Sequence, residues 1–133
     1  MLSLFATAAQ AQVQLSIPDS SAVEGDTLLI PVRVDSSLTG LNVLSYSIEL
    51  TYIDAYFEPL SIETSGSISS GMSLTSNFNQ SGRIIVAAAS ATALSGSGDL
   101  FYIRGVISNR FSFSFSFDAA ASELNEGSPE LIF

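Results

Sequence analysis

The only general acids and bases this chain offers are carboxylates, Tyr and Arg. The sequence contains no Cys and no His, which removes thiolate and imidazole nucleophiles, the commonest general base and the ligands of soft-metal sites together. Acids gather in two places, Asp19, Glu24 and Asp26 in one turn and Glu123, Glu126 and Glu130 in another. Glycoside hydrolysis requires two carboxylates facing one cleft, and no convincing pair appears. The two acidic turns read as solvated loops rather than as catalytic or calcium sites. Asn79-Gln80-Ser81 matches a glycosylation acceptor, a short pattern that arises often by chance. The expectation is a non-enzymatic chain, with no catalytic residue and no metal or cofactor of its own.

The scaffold for such a chain is bounded by composition. A length of 133 residues suits one domain, and 47% hydrophobic against 13% charged residues leaves ample apolar surface to offset the ordering of the backbone. The four basic residues are all Arg and stand against thirteen acids, a net charge of -9. That balance repels nucleic acid and anionic membrane surfaces, so neither is an expected partner. The first residues, MLSLFATAAQAQ, are apolar and end in the small-residue pattern Ala9-Gln10-Ala11, which suits a signal-peptidase site although a basic n-region is missing. Residues 1–11 are therefore expected to be a signal-peptide remnant and 12–133 a secreted or cell-surface domain. No apolar run approaches the ~20 residues of a membrane-spanning helix.

Short apolar or alternating runs separated by Gly, Ser, Asn and Asp recur along the whole chain, the pattern of an all-β protein. Eight strands are expected: Val13–Ile17, Thr27–Val34, Val43–Tyr52, Phe57–Ile62, Ser73–Asn79, Arg83–Ser90, Asp99–Ile107 and Arg110–Phe117. Pro31 cannot donate to a ladder and demands an edge or a bulge in the second. The third alternates cleanly, with Tyr46, Ile48, Leu50 and Tyr52 on one side and Ser45, Ser47, Glu49 and Thr51 on the other. The eighth, RFSFSFSF, is the most regular. The sixth, RIIVAAAS, is apolar on both faces, as a strand covered on both sides can be. Two packed antiparallel sheets with connections of this length make a β-sandwich of jelly-roll topology.

Taken in order, several of these segments resemble a cohesin module. They are the Gly25 turn before Leu29–Val32 (LIPV), then Gly40–Tyr52 (GLNVLSYSIELTY), Phe57-Glu58, Gly82–Leu100 (GRIIVAAASATALSGSGDL) and Leu124–Gly127 (LNEG). The resemblance spans roughly Val13 to Gly127 and rests on ordered blocks rather than on any single residue. It departs from the family where Tyr52-Ile53-Asp54 stands in place of Tyr-Asp-Pro, and in the short connection at Ser108–Arg110. The family also continues through an Asp-Gly turn into a last strand beside the first, so this chain is expected to lack its final strand and to leave an unpaired edge there.

The resemblance implies a nine-stranded jelly-roll sandwich that captures dockerins on the sheet holding strands eight, three, six and five. Combined with the alternation, it proposes a docking face of Ser45, Ser47 and Glu49 on the third strand and Asn77 and Asn79 on the fifth. Val86, Ala88 and Ser90 on the sixth form its centre, with Leu94 and Ser95 on the following loop and Ser112–Ser116 beside it. Such a flat hydrogen-bonding surface around an apolar stripe has the core-and-rim layout of a protein interface. Calcium is expected on the partner, because dockerins resemble paired EF-hand loops and this chain has no D-x-D-x-D-G pattern. Two other classes remain open. A carbohydrate-binding module on the same sandwich would bind polysaccharide through exposed rings, but the chain has no Trp and only Tyr56, Tyr102 and a few others are candidates. A passive spacer would bind nothing.

Overall fold

A computed structural model describes residues 12–18, 20–22, 25–52, 57–107, 113–115, 118–119, 122–125 and 130–132. All regular elements among them are strands: β1 (Gln12–Ser16), β2 (Ser20–Ala22), β3 (Thr27–Val34), β4 (Ser45–Thr51), β5 (Phe57–Glu63) and β6 (Ser73–Asn77). They continue with β7 (Arg83–Ala89), β8 (Gly98–Ile107), β9 (Phe113–Phe115), β10 (Asp118–Ala119), β11 (Glu123–Leu124) and β12 (Glu130–Ile132). One sheet runs β12-β1-β3-β8-β5 and the other β10-β4-β7-β6, with β11 also pairing with β4. Every pairing is antiparallel except that of β1 with β12.

Alternation along the strands builds the core. Ile30, Val32 and Val34 of β3 and Phe101, Ile103 and Ile107 of β8 meet Tyr46, Ile48 and Leu50 of β4 and Ile84, Val86 and Ala88 of β7, all buried in one cluster. The ring of Tyr46 stacks on that of Phe101 with centroids 6.1 Å apart, so the two sheets are joined at their centre by an aromatic pair. Pro31 meets its sequence constraint on both counts. β1 pairs with β3 only at Val34 and Arg33, and the β3–β8 register shifts between Val32 and Arg33. The proline thus lies where β3 is open toward β1 and next to a bulge.

Two expectations about strands are revised. The described part of the run at 110–117, β9, pairs with β2 in a separate two-stranded ladder and not with β4; the rest of the run and the side chains of Ser112–Ser116 lie outside the described set. The place beside β4 is taken instead by β10 and β11. The edge of β1 is also occupied, since Gln12, Val13 and Gln14 pair with Glu130, Leu131 and Ile132. Glu130–Ile132 therefore fill the position the resemblance assigned to a missing strand, and Glu123 and Glu130, expected in one solvated turn, lie in the strands β11 and β12.

The edge of β4 is closed partly by side chains. β10 covers Thr51 and Leu50 and β11 covers Ser47 and Tyr46. Between them the Glu49 N–H donates to Ser122 Oγ at 3.2 Å. Beyond β11, Asn125 sits at φ 52°, a left-handed conformation that Asn tolerates better than most residues. Its Oδ1 accepts from the N–H groups of Leu44 (2.9 Å) and Ser45 (3.3 Å), its Nδ2 donates to Asn42 O (3.2 Å) and its own N–H donates to Ser45 O (2.7 Å). Asn125→Ala removes the acceptor of two backbone donors and is expected to cost about 2–3 kcal/mol in a denaturant titration. Asn125→Asp, which keeps Oδ1, should lose clearly less, and equal losses would show that the amide oxygen does not close this edge.

Candidate partner-binding face

Residues directly opposite each other in an antiparallel pair project to the same side of the sheet. β4 and β7 pair Ser45 with Ala89, Ser47 with Ala87 and Glu49 with Ile85, and β6 and β7 pair Ser73 with Ala89, Thr75 with Ala87 and Asn77 with Ile85. Three rows result on the outer side: Ser45–Ala89–Ser73, Ser47–Ala87–Thr75 and Glu49–Ile85–Asn77. Ile85 and Ala87 are half-buried and Ala89, Ser73, Thr75 and Asn77 are exposed. The centre of the face is thus a short apolar stripe flanked by hydroxyls.

This register corrects the expected centre. Val86 and Ala88 project to the opposite side, at 0% and 5% exposure, and Leu94 is buried as well. The face is built instead from the alternate residues Ile85, Ala87 and Ala89. RIIVAAAS is apolar in both phases, so alternation alone cannot choose between them. Arg83 does choose: its Nε lies 3.1 Å from Glu49 Oε1 on the outer side, and period two then carries 85, 87 and 89 outward with it. That signal is present in the sequence. It also accounts for the double apolarity of the strand, whose inner face is core while its outer face is the stripe.

Of the other proposed residues, Ser45, Ser47, Glu49 and Asn77 lie together on the outer side. Asn79 is beyond the end of β6, where its N–H donates to Asn77 Oδ1 at 2.8 Å. Ser90 follows β7, donating its N–H to Leu44 O and accepting from Thr92 N at Oγ, and Ser95 is exposed on the next loop. Among the residues whose side chains are described, the charges on this side are the Glu49–Arg83 pair at one end and Glu123, exposed and paired in register with Ser47. Tyr102, a candidate ring for sugar stacking, belongs to the other sheet, and its hydroxyl donates to Asp99 Oδ2 at 2.8 Å. Tyr56 lies outside the described residues, as do Asp19, Glu24 and Glu126 of the acidic turns.

The sheet is held to its neighbouring loop by one buried polar contact. Tyr46 Oη and Ser69 Oγ are 2.9 Å apart in the interior. Burial pushes the Tyr46 hydroxyl from 10.0 up to about 12, the Ser69 hydrogen bond working in the opposite direction. A phenol that holds its proton more tightly folded than unfolded contributes stability that is complete below pH 10 and is lost as pH rises toward 12. The loss across that window should be on the order of 2–3 kcal/mol. Tyr46→Phe should flatten this part of the pH profile in chemical denaturation, and an unchanged alkaline slope in the variant would assign it to other groups.

No protein-family profile and no curated protein sequence matches the chain; solved structures do. A non-cellulosomal cohesin from the archaeon Archaeoglobus fulgidus superposes with a TM-score of 0.74 at 20% identity, over 91% of this chain and 85% of that one. The chain has the cohesin fold. The cohesin CaCohA2 of Clostridium acetobutylicum is similar at a TM-score of 0.75 and 19% identity, over 94% of this chain and 87% of that one. A third structure is of a type I cohesin–dockerin complex, Coh-OlpA-Doc918 from Clostridium thermocellum, with a TM-score of 0.72 and 20% identity over 92% and 95% of the two chains. On the cohesin fold, the outer side of β10-β4-β7-β6 is the sheet to which the sequence resemblance assigns docking.

Proposed function

We propose that this chain is a cohesin module, a non-catalytic domain that captures a dockerin-bearing protein on the outer side of β10-β4-β7-β6. The observation that carries the reading is the Ile85–Ala87–Ala89 stripe, an apolar line that the described residues leave partly accessible on the sheet, edged by Ser45, Ser47, Ser73 and Thr75. Small side chains in straight rows present a surface that a helical or extended segment can approach closely, with hydroxyls placed to satisfy its polar groups. Similar folds bound to dockerins in solved complexes support the same assignment.

The protein brings no metal to this interaction. Calcium belongs to the dockerin, which needs it to hold its own loops, so capture depends on calcium indirectly. The module works outside the cell or at its surface, consistent with the cleavage-type pattern at residues 9–11. Incubating the purified domain with a panel of calcium-loaded dockerin modules tests the assignment. Capture of at least one dockerin, lost on adding chelator, is the expected result. Retention on insoluble polysaccharide without dockerin capture would replace the reading with a carbohydrate-binding one, and neither activity would leave a spacer.

A further inference from the structure

The proposed docking face is lined mostly by small side chains. Two of its rows, Ser45–Ala89–Ser73 and Ser47–Ala87–Thr75, carry only small side chains, and the third, Glu49–Ile85–Asn77, ends the face at the Glu49–Arg83 ion pair. At the opposite end, where the row Ser45–Ala89–Ser73 stops, a hollow of about 350 Å³ opens between the loop at 64–72 and the loop at 90–97. Leu94 is buried within it, and Ile68 and Met72 contribute apolar surface packed on the core. Ser70, Thr92 and Ser95 stand exposed among its lining residues.

Both walls are braced. In the first loop, Ser67 Oγ donates to Thr64 O at 2.6 Å and Met72 N to Ser69 O at 2.9 Å, Ile68 N reaches Asp99 O at 2.9 Å, and Ser69 is tied to Tyr46. In the second, Ser90 N donates to Leu44 O at 2.8 Å, Leu94 N to Val43 O at 2.9 Å, and Gly96 N to Thr39 Oγ1 at 2.9 Å. A hollow whose walls are fixed before binding requires little ordering when something enters it.

Its chemistry selects the entrant. In a chain of net charge -9, no Asp, Glu, Lys or Arg occurs from 64 to 82 or from 84 to 98, so neither wall offers a counter-charge. A charged side chain placed there would lose hydration without an ionic partner, whereas an apolar one would gain by covering the exposed parts of Ile68 and Met72. We infer that this hollow is the anchor pocket for one uncharged apolar side chain, of the leucine or methionine class, carried by the docked partner. Engaging it fixes which way round the partner lies on the sheet. Buried anchors of this kind dominate the energetics of otherwise even interfaces. The inference rests on the docking assignment above and adds the side-chain chemistry and direction of the partner.

Two measurements test it. In a two-dimensional amide NMR titration, N-acetyl-leucine amide should shift the signals of Ile68, Met72 and Leu94, N-acetyl-lysine amide should not, and Thr92→Arg, which fills the mouth of the hollow, should abolish the response. Equal shifts with both amides, or none with either, overturn the pocket. In dockerin capture, Thr92→Arg should weaken binding tenfold or more while its thermal unfolding matches the parent. If Thr92→Arg binds like the parent and Ala87→Asp does not, the docking face stands and the anchor pocket falls. If Ala87→Asp itself binds like the parent, the docking assignment fails and takes the anchoring role with it.

Discussion

Val86→Asp is expected to unfold the domain, while Ala87→Asp, one residue further on, keeps it folded and removes its capture of a partner. Val86 has no accessible surface and lies opposite Ile48 in the β4–β7 ladder. A carboxyl there loses the packing of the valine and is left buried without a hydrogen-bond partner. That costs several kcal/mol out of a typical total of about 5–15 kcal/mol. Ala87 projects outward between Ser47 and Thr75, where an Asp stays hydrated in the free protein and should change stability by less than about 1 kcal/mol. A partner lying on the stripe would then have to bury that charge unpaired, a penalty of about 2–5 kcal/mol, or roughly 30-fold or more in affinity. Thermal unfolding followed by circular dichroism, with calorimetric titration of a captured dockerin, separates the two outcomes. A folded Val86→Asp beside an unfolded Ala87→Asp would mean that the register is wrong by one residue.

Gly105→Ala should be nearly as damaging, for a reason invisible in any list of core residues. Gly105 is buried in β8 opposite Pro59 of β5, and the ring of Phe57 lies across it. A methyl group added at Gly105 would overlap Phe57 Cζ and come within 2.6 Å of Phe57 Cε1 and of the Glu58 carbonyl oxygen. Phe57 has little room to retreat, because it is itself buried and packs edge-on against Tyr52 at 5.7 Å and 88°. Both ring and strand must therefore shift. Overpacking of this severity costs about 3 kcal/mol, a fall in Tm of roughly 10 °C for a domain of this size. Adding Phe57→Leu to the Gly105→Ala variant should recover part of the loss, because the two sites share one clash and are not additive. Melting of Gly105→Ala at the parent temperature would place the ring elsewhere.

Much of the architecture was legible from residue order. The strands at 27–34, 57–62, 83–90 and 99–107 appear within about a residue of their expected places, because each is a short apolar run bounded by turn-forming residues. The outward orientation of Ser45, Ser47 and Glu49 is legible, since β4 alternates one polar with one apolar residue and tolerates only one orientation. The outer face of β7 is not legible from alternation, because Ile84–Ala89 is apolar in both phases. The one informative residue, Arg83, stands at its end, where a charge is easily read as belonging to the turn. Gly105 carried no pattern at all, because the need for a missing side chain comes from a ring on another strand.

Local sequence therefore determined that the chain is made of strands, which side of β4 faces water, and that no imidazole or thiol chemistry is available. Tertiary structure alone decided the register of β7 against β4 and β6, the closure of the β4 edge by Asn125, and the hollow between two loops. Alternation is a property of one strand and is written within it. Register and enclosure depend on groups distant in the chain, as with Asn125 Oδ1 and the Leu44 N–H, 81 residues apart in sequence and 2.9 Å apart in space.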